Sequence, residues 1–531
     1  MKRIFFLISA LYLFSNYSYS QEWVRVYGDE TSGIGRYVIE TYDKGYLFLG
    51  SRNSYKYGWL IKTDINGNNI WDKRIGNGNN DNVPFNVEQT SDNGYIICGS
   101  TTKYNAYSDV YIQKFNVCAE PEWCKLFSNP IDNDYGQRVK QLSDGGYLFL
   151  TRYLGDNPYH RTHLTKFNSI GEIEWQHVYA QSDSAMFGEE GFDLLIVDDN
   201  RYLTTGWCYY PDPGQVGSGW RRPLLIMTDS LGELVWEKPL VFDGYFHGNG
   251  NSSVIDNSMN IYTIGQNVSG PNERDVPSLM KTSSFGNELY HANIIEDDFY
   301  IGGGTTINWI NDSMFFVSAT WSDYYDNYHT AFIKVDILGK VIDSLEIYPI
   351  SNNIWWTTKT FDGKFVSVGT HYDGNWDMYA FKVNENMEYD SIYTQPFTYD
   401  SLCPDSIISE TYDLECDILV DIYEPFTTKE GSKMNIFPNP AKDNITIELP
   451  KYIISEQNTE HFQVTKVHYQ YTNNAVLEFY DIFGHKLKEI KVSKGQQQLK
   501  IDVSNWNNGL YVAVLKSEKN VFAKQKFMVL N

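Results

Sequence analysis

Six cysteines are spread through 531 residues, none adjacent to another and none in a Cys-x-x-Cys pair. A four-thiolate zinc site is thereby excluded. After the first twenty residues no stretch is long and apolar enough for a membrane helix. Apolar residues seldom recur at the i, i+3, i+4 spacing, which excludes a mainly helical fold. Positive charge is scarce: 43 Lys and Arg stand against 67 Asp and Glu, a net charge of -24. An acidic chain is a poor partner for nucleic acid or for an anionic membrane. No Asp-x-Asp-x-Asp-Gly calcium loop and no Gly-x-Ser-x-Gly nucleophile elbow occurs. Gly302-Gly303-Gly304 opens no helix, so it is expected in a connection and not as a phosphate cradle. His160-Arg161-Thr162-His163 has no third ligand at a known spacing and reads as a surface pair. No metal and no cofactor is expected.

What is abundant is repetition, which is the first thing to read in such a chain. Ser91-Asp92-Asn93-Gly94-Tyr95-Ile96-Ile97-Cys98-Gly99 has six degenerate relatives. The residue after the turn falls at Tyr46, Tyr95, Tyr147, Tyr202, Ile261, Phe315 and Phe365, with gaps of 49, 52, 55, 59, 54 and 50 residues. Three residues earlier stands Asp in every copy but the fifth, which has Ser258. A second block is anchored on Lys62, Lys114, Lys166, Met227, Lys281, Lys334 and Lys382. Nine residues on lies Trp71, Trp123, Trp175, Trp236 or Tyr290, and Asp343 or Ser391 in the last two copies. Asp-x-Gly before an apolar run is turn chemistry, since Asp bonds its own backbone and Gly accepts positive φ. Each copy holds four short strands, a to d. The fold expected is all-β: a seven-bladed β-propeller followed by a small C-terminal β-sandwich. Glu22-Trp23-Val24-Arg25-Val26-Tyr27 reads as a d strand with no repeat before it, so the mature N-terminus should complete the last blade.

Asp64-x-x-Gly67-x-x-x-Trp71 resembles the tryptophan-docking repeat of quinoprotein propellers, one residue shorter. The adjacent cysteines typical of those enzymes are missing, so the resemblance implies the blade and not the cofactor. The repeats also look like those of uncharacterised Bacteroidota surface propellers. No copy matches the sialidase Asp-box.

Met1-Lys2-Arg3, an apolar core to Phe14 and a Ser-rich end make residues 1–20 a secretory signal. Export permits disulfides. Cys118 and Cys124 bracket one turn and Cys403 and Cys416 flank a later segment, so these four are the disulfide candidates; a local bridge would staple each stretch, but the sequence leaves the pairing open, with Cys98 and Cys208 free or buried. The expected domains are a signal at 1–20, the propeller at 21–394, a linker at 395–433 and a last domain at 434–531. Residues 434–531 hold 12 Lys, no Arg and 9 acids; with the signal set aside, the rest holds 29 basic and 58 acidic residues.

In a four-stranded meander the b–c and d–a connections leave on one face. Here these are the long, variable ones, and function sits on variable loops held by a rigid scaffold. They are rich in aromatics with acids nearby. Tyr107, Tyr159, Tyr210, Trp220, Trp321, Tyr325, Trp355 and Tyr372 are the candidate ligand-binding residues. Flat rings beside carboxylates and amides suit sugars, which favours glycan binding; they suit a protein partner almost as well. A hydrolase using two loop carboxylates is the rival. The catalytic residues are unassigned, a binding module is favoured over an enzyme, and a monomer is expected.

Residues 434–531 contain Met434-Asn435-Ile436-Phe437-Pro438-Asn439-Pro440-Ala441, then Tyr480-Asp481-Ile482-Phe483-Gly484, then Gly509-Leu510-Tyr511-Val512-Ala513-Val514, and a closing strand with Lys526. In order and spacing these resemble the type A C-terminal sorting domain of the type IX secretion system of Bacteroidota, with Pro438, Asn439, Pro440, Asp481, Gly484, Gly509, Tyr511 and Lys526 on its motifs. An insert at about 451–472 departs from the pattern. The resemblance implies the secretion machinery as partner and an extracellular or outer-membrane surface location.

Overall fold

The computed structural model describes residues 22–28, 31–104, 107–128, 133–153, 160–179, 188–211, 219–241, 245–269, 275–295, 299–323, 328–347, 353–372, 374–419, 434–449, 452–455, 466–469, 476–481, 486–493, 496, 498–516 and 521–530. The expected signal at 1–20 lies outside them. Two compact units divide at residue 420.

The first unit is a ring of seven antiparallel blades. Blade 1 runs a to d as Gly33–Glu40, Tyr46–Arg52, Tyr57–Thr63 and Asn69–Ile75. Strand b is buried along its whole length, because neighbouring blades cover both its faces. The inner strands of blades 2 to 7 are Asn82–Gln89, Tyr135–Gln141, Glu189–Asp198, Tyr245–Ile255, Phe299–Asn311 and Ile354–Lys359. Each touches the next, and the seventh touches the first, which closes the ring. Seven apolar clusters fill the seven blade interfaces.

The outermost strand of blade 7 is Val24–Tyr27, from the far end of the chain, paired antiparallel with Trp376–Val383. Trp23 supplies the tryptophan that copy seven lacks. Its Nε1 donates to the Ile65 carbonyl at 2.9 Å. A Cβ on Gly67 would lie 2.7 Å from its ring. Gly171 sits as closely on Trp123, Gly232 on Trp175 and Gly286 on Trp236, each glycine at positive φ. The turn glycine of one blade thus receives the d-strand tryptophan of the blade before it.

The repeated Asp and Lys meet. Asp43 in the a–b turn accepts from Thr41 Oγ1 at 2.7 Å, from Gly45 N at 3.1 Å and from Lys62 Nζ at 2.8 Å. Lys114 pairs with Asp92 at 2.9 Å, Lys166 with Asp144 at 2.6 Å and Lys382 with Asp362 at 2.9 Å. One pair ties strand c to the a–b turn in blades 1, 2, 3 and 7.

Residues 395–419 lie against the propeller as a strap. Glu410–Tyr412 adds parallel to the outer strand of blade 1, and Asp417–Leu419 adds parallel to that of blade 2. Trp71 Nε1 donates to Asp400 at 3.0 Å, and Ile65 N donates to the Tyr399 hydroxyl at 2.9 Å. Leu414 is fully buried among blades 1 and 2. The four cysteines are bridged, but not locally: Cys118 joins Cys403 and Cys124 joins Cys416. A local Cys118–Cys124 pair is ruled out by geometry. Cys118 sits in a turn, while Cys124 stands opposite Gln113 within the strand Pro121–Phe127. Three residues of strand span roughly 10 Å, beyond the ~7 Å that a bridge tolerates between Cα atoms. Cys98 and Cys208 are free and buried.

Two further expectations are corrected. Gly302-Gly303-Gly304 lies inside an inner strand, not in a connection. His163 is buried and only His160 is half-buried, because residues three apart on a strand point to opposite faces.

Burial pushes the His163 pKa down to about 3, helped by Arg161, and that of His291 down to about 4. Burial pushes Glu237 up to about 7 against Arg161, so it works in the opposite sense as pH rises. A buried neutral histidine costs stability as pH falls below its ordinary 6.5, because only the unfolded chain takes the proton. Burial also raises the carboxyls of Glu40, Glu190 and Asp400, which oppose the histidines as Glu237 does, so the urea midpoint should change little from pH 6.5 to 4.5. It should fall below about 4, where Asp43, Asp92, Asp144 and Asp362, all held below the ordinary value, lose their charge. A midpoint flat from pH 6.5 to 3 would contradict this.

The second unit has one core, which includes Ile445, Leu477, Phe479, Ala513 and Phe527. Asn435–Phe437, Asn444–Glu448 and Gln498–Asp502 form one sheet; Lys486–Lys491, Val476–Asp481, Gly509–Lys516 and Val521–Val529 form the other. Asn439 Oδ1 accepts from Met528 N at 2.9 Å, and the buried Tyr511 donates to the Asn507 carbonyl at 2.7 Å. Asp481 pairs in register with Tyr511, and Lys526 is exposed opposite Val512. Gly484 lies outside the described residues. The insert contributes a hairpin, Tyr452–Ser455 with Lys466–Tyr469.

Candidate functional site

The two families of long connections share a face, because they bond to each other. Asn82 N donates to the Tyr55 carbonyl at 2.7 Å, Lys56 meets Asp81 at 2.6 Å, and Glu189 N donates to the His160 carbonyl at 3.0 Å.

On this face every inner strand carries a β-bulge, and always at the same place. The register skips at Arg36, Phe85, Gln137, Phe192, Asn251, Thr305 and Trp355. A bulge leaves one residue out of the ladder and re-aims its side chain. Seven re-aimed side chains, one per blade, form a ring at the mouth of the central channel. The residue before the bulge is Gly35, Gly136, Gly191, Gly250 or Gly304 in five blades. A Cβ on Gly304 would lie 2.1 Å from Ile264 of the blade before it, so these glycines let the blades close at the axis.

Three neighbouring members of the ring touch. The Arg36 guanidinium lies 4.9 Å from the Phe85 ring and 4.9 Å from the Trp355 ring, between blades 2 and 7. Tyr135 meets Phe85 edge-on at 5.8 Å, and Arg152 lies over Tyr135 at 5.1 Å. Gln137 Nε2 donates to Glu190 at 2.9 Å, and Arg152 reaches both Glu190 oxygens at 3.3 Å. Burial pushes the Glu190 carboxyl up, and Arg152 opposes it. Asn251 Nδ2 donates to the Gly304 carbonyl at 2.7 Å. Burial also pushes the Arg36 pKa down, opposed by Tyr55 and Tyr135. Tyr55 is brought there by three successive left-handed residues, Asn53, Ser54 and Tyr55, at φ of 52, 52 and 71°. Such backbone is held only where its surroundings dictate it.

Below the ring, side chains from non-adjacent blades meet, which they can do only across the axis. Tyr37 stacks on Trp356 at 4.4 Å, and Arg138 of blade 3 lies over both, at 5.4 and 4.6 Å. Arg138 pairs with Asp193 at 3.5 Å and Lys140 with Glu88 at 3.2 Å. This layer floors the mouth.

Of the expected site residues, Trp355 belongs to the ring and is 39% exposed; it stands on a strand bulge and not in a loop. Tyr107 is exposed on blade 2. Tyr372 is exposed and meets Trp376 at 5.1 Å. Tyr210 and Trp220 are register partners in blade 4. Trp321 is buried in the cluster between blades 5 and 6 and stacks on His329. Tyr159 and Tyr325 lie outside the described residues. Arg36, Phe85, Gln137, Phe192, Asn251 and Thr305 were missed. A signal for them existed: each bulge stands ten residues before the marker of its blade, from Arg36 and Tyr46 to Trp355 and Phe365. Among the described residues no His, Cys, Asp and Glu cluster could hold a metal.

Residues 435–530 match the family of secretion system C-terminal sorting domains. The chain carries a type IX sorting domain. It is thereby directed to the extracellular space or the cell surface, and its partner in export is the type IX machinery. No curated protein matches the sequence. The chain is similar in fold to several solved structures. One is a PL25 ulvan lyase, with 9% identity over 68% of this chain and 96% of that one and a TM-score of 0.46. Drosophila Semaphorin 1a matches at 8% identity over 69% and 89%, TM-score 0.43. An endo-arabinase from Bacteroides thetaiotaomicron matches at 12% over 48% and 93%, TM-score 0.31.

Proposed function

We propose that this exported propeller is a glycan-binding module whose site is the mouth of the channel on the loop face. The observation that carries the reading is the bulge ring, in which an exposed indole, Trp355, shares the equivalent strand position with the polar Gln137, Asn251 and Thr305 of other blades. A sugar offers an apolar face for stacking and hydroxyls at its edge, which is the complement of this ring. Among the described residues, two acids at the mouth are engaged in holding it together: Glu190 by Gln137 and Arg152, Asp193 by Arg138 and by Ser253 N at 3.2 Å. This supports binding over hydrolysis, which wants two carboxyls facing a substrate.

The mature chain should be retained in affinity gels that contain a polysaccharide, without releasing reducing ends. Trp355→Ala should weaken retention about tenfold, or ~1.4 kcal/mol, as loss of a central aromatic anchor does. Release of reducing ends that disappears in Glu190→Gln would favour the hydrolase. Neither retention nor release would leave the protein-partner reading.

A further inference from the structure

We propose that the channel mouth selects acidic sugars, with Arg36 as the group that receives the carboxylate of a uronate or the sulfate of a sulfated sugar. The inference rests on the glycan reading and names its ligand class. Outside the signal and the sorting domain the chain has twice as many acids as bases, so a cation at its axis whose partners are Tyr55 and two aromatic rings, and not a carboxylate, is not there for solubility. Nearby arginines are matched: Arg138 with Asp193 and Arg152 with Glu190. Among the described residues no carboxylate pairs with Arg36, and its Nε is buried with no hydrogen-bond partner.

The flanking rings explain how such a cation is kept. Phe85 and Trp355 flank the guanidinium at 4.9 Å each and Tyr55 hydrogen-bonds it, which still leaves N–H groups of its five-donor fork to be used. A planar fork of donors matches a carboxylate or sulfate edge in two bonds, which a lysine ammonium does not. The division of the bases follows this chemistry. Arg36, Arg138 and Arg152 gather at the mouth, whereas Lys62, Lys114, Lys166 and Lys382 are used up by turn aspartates. Arg221 is exposed, stacked on Trp207 at 4.4 Å, and its charge lowers the Glu190 pKa, so it adds to the positive field there. An acidic sugar would rest its ring on Trp355 and its anionic group on Arg36.

Three polymers test this on the mature chain: polygalacturonate, dextran sulfate and unmodified dextran. At least one acidic polymer should be retained tenfold or more better than dextran, and 0.5 M NaCl should remove that preference. Arg36→Met should lose the preference, and Arg36→Lys should recover only part of it. Free glucuronate and inorganic sulfate provide a second measurement. Whichever matches the preferred polymer should raise the Tm of the native chain and not that of Arg36→Met, which also shows whether the variant folds. Retention of dextran equal to that of both acidic polymers, with Arg36→Met unchanged, overturns the acidic preference and leaves glycan binding standing. No retention of any polymer, with no Tm shift, overturns both.

Discussion

Lys62→Met should destabilise the propeller by about 3–5 kcal/mol, whereas Lys166→Met, the same change in the same motif, should cost under ~1 kcal/mol. The side chains of Lys62 and Asp43 are 0% and 2% exposed. Asp43 also receives Thr41, Gly45 and the backbone N of Asp400 at 3.0 Å, and so cannot turn out to solvent. Removing the ammonium strands a buried carboxylate. In blade 3 the partner Asp144 is 51% exposed, and water replaces the lost cation. Burial pushes the Lys62 ammonium down and Asp43 holds it up, which is how two partners behave when each needs the other. Lys62→Met with Asp43→Asn should recover a good part of the loss, because no charge is then stranded. Urea denaturation of the four proteins decides it. Equal costs in blades 1 and 3 would show that the motif acts through turn geometry and not through the buried charge.

The ring was legible in the sequence because its signals are local and repeated seven times. Asp-x-Gly turns, apolar b strands and d-strand tryptophans all lie within one copy. The closure by Val24–Tyr27 was legible for the same reason: one strand stood in excess and one tryptophan was short. The disulfide partners were not, because the strap that carries Cys403 and Cys416 has no repeat to align with, and only its parallel pairing sets them beside Cys118 and Cys124. The mouth was legible by face but not by residue. Aromatics on connections drew attention to Trp321, which is core, and away from Arg36 and Phe85, which look like ordinary strand positions. A bulge is a fact of register between two strands, and register is invisible in one of them. Only the constant ten-residue offset from the marker betrays it.

The strap should prove the strongest single stabilising element, and its two bridges should act together. Cys118–Cys403 closes a loop of 285 residues, worth about 5 kcal/mol as an upper bound in the chain-entropy account. With that bridge made, Cys124–Cys416 adds only a short loop, because its cysteines lie six and thirteen residues from those already joined. A loop of that size is worth about 3 kcal/mol. Cys403→Ser should therefore cost about 3 kcal/mol, since the long loop stays closed through the other bridge, and Cys416→Ser should cost about the same. The double variant should lose more than the sum, up to ~8 kcal/mol, because only then does the long loop open. In the folded state the strap would still be held by Trp71 to Asp400, by Lys125 to Asp417 and by buried Leu414, so each single variant should remain folded. Urea unfolding of the oxidised native chain, both singles and the double measures these differences. Strictly additive losses would mean that the bridges act through local packing at each cysteine. A loss larger than the sum would place their effect in the unfolded chain, where the two ends of a 290-residue ring must find each other.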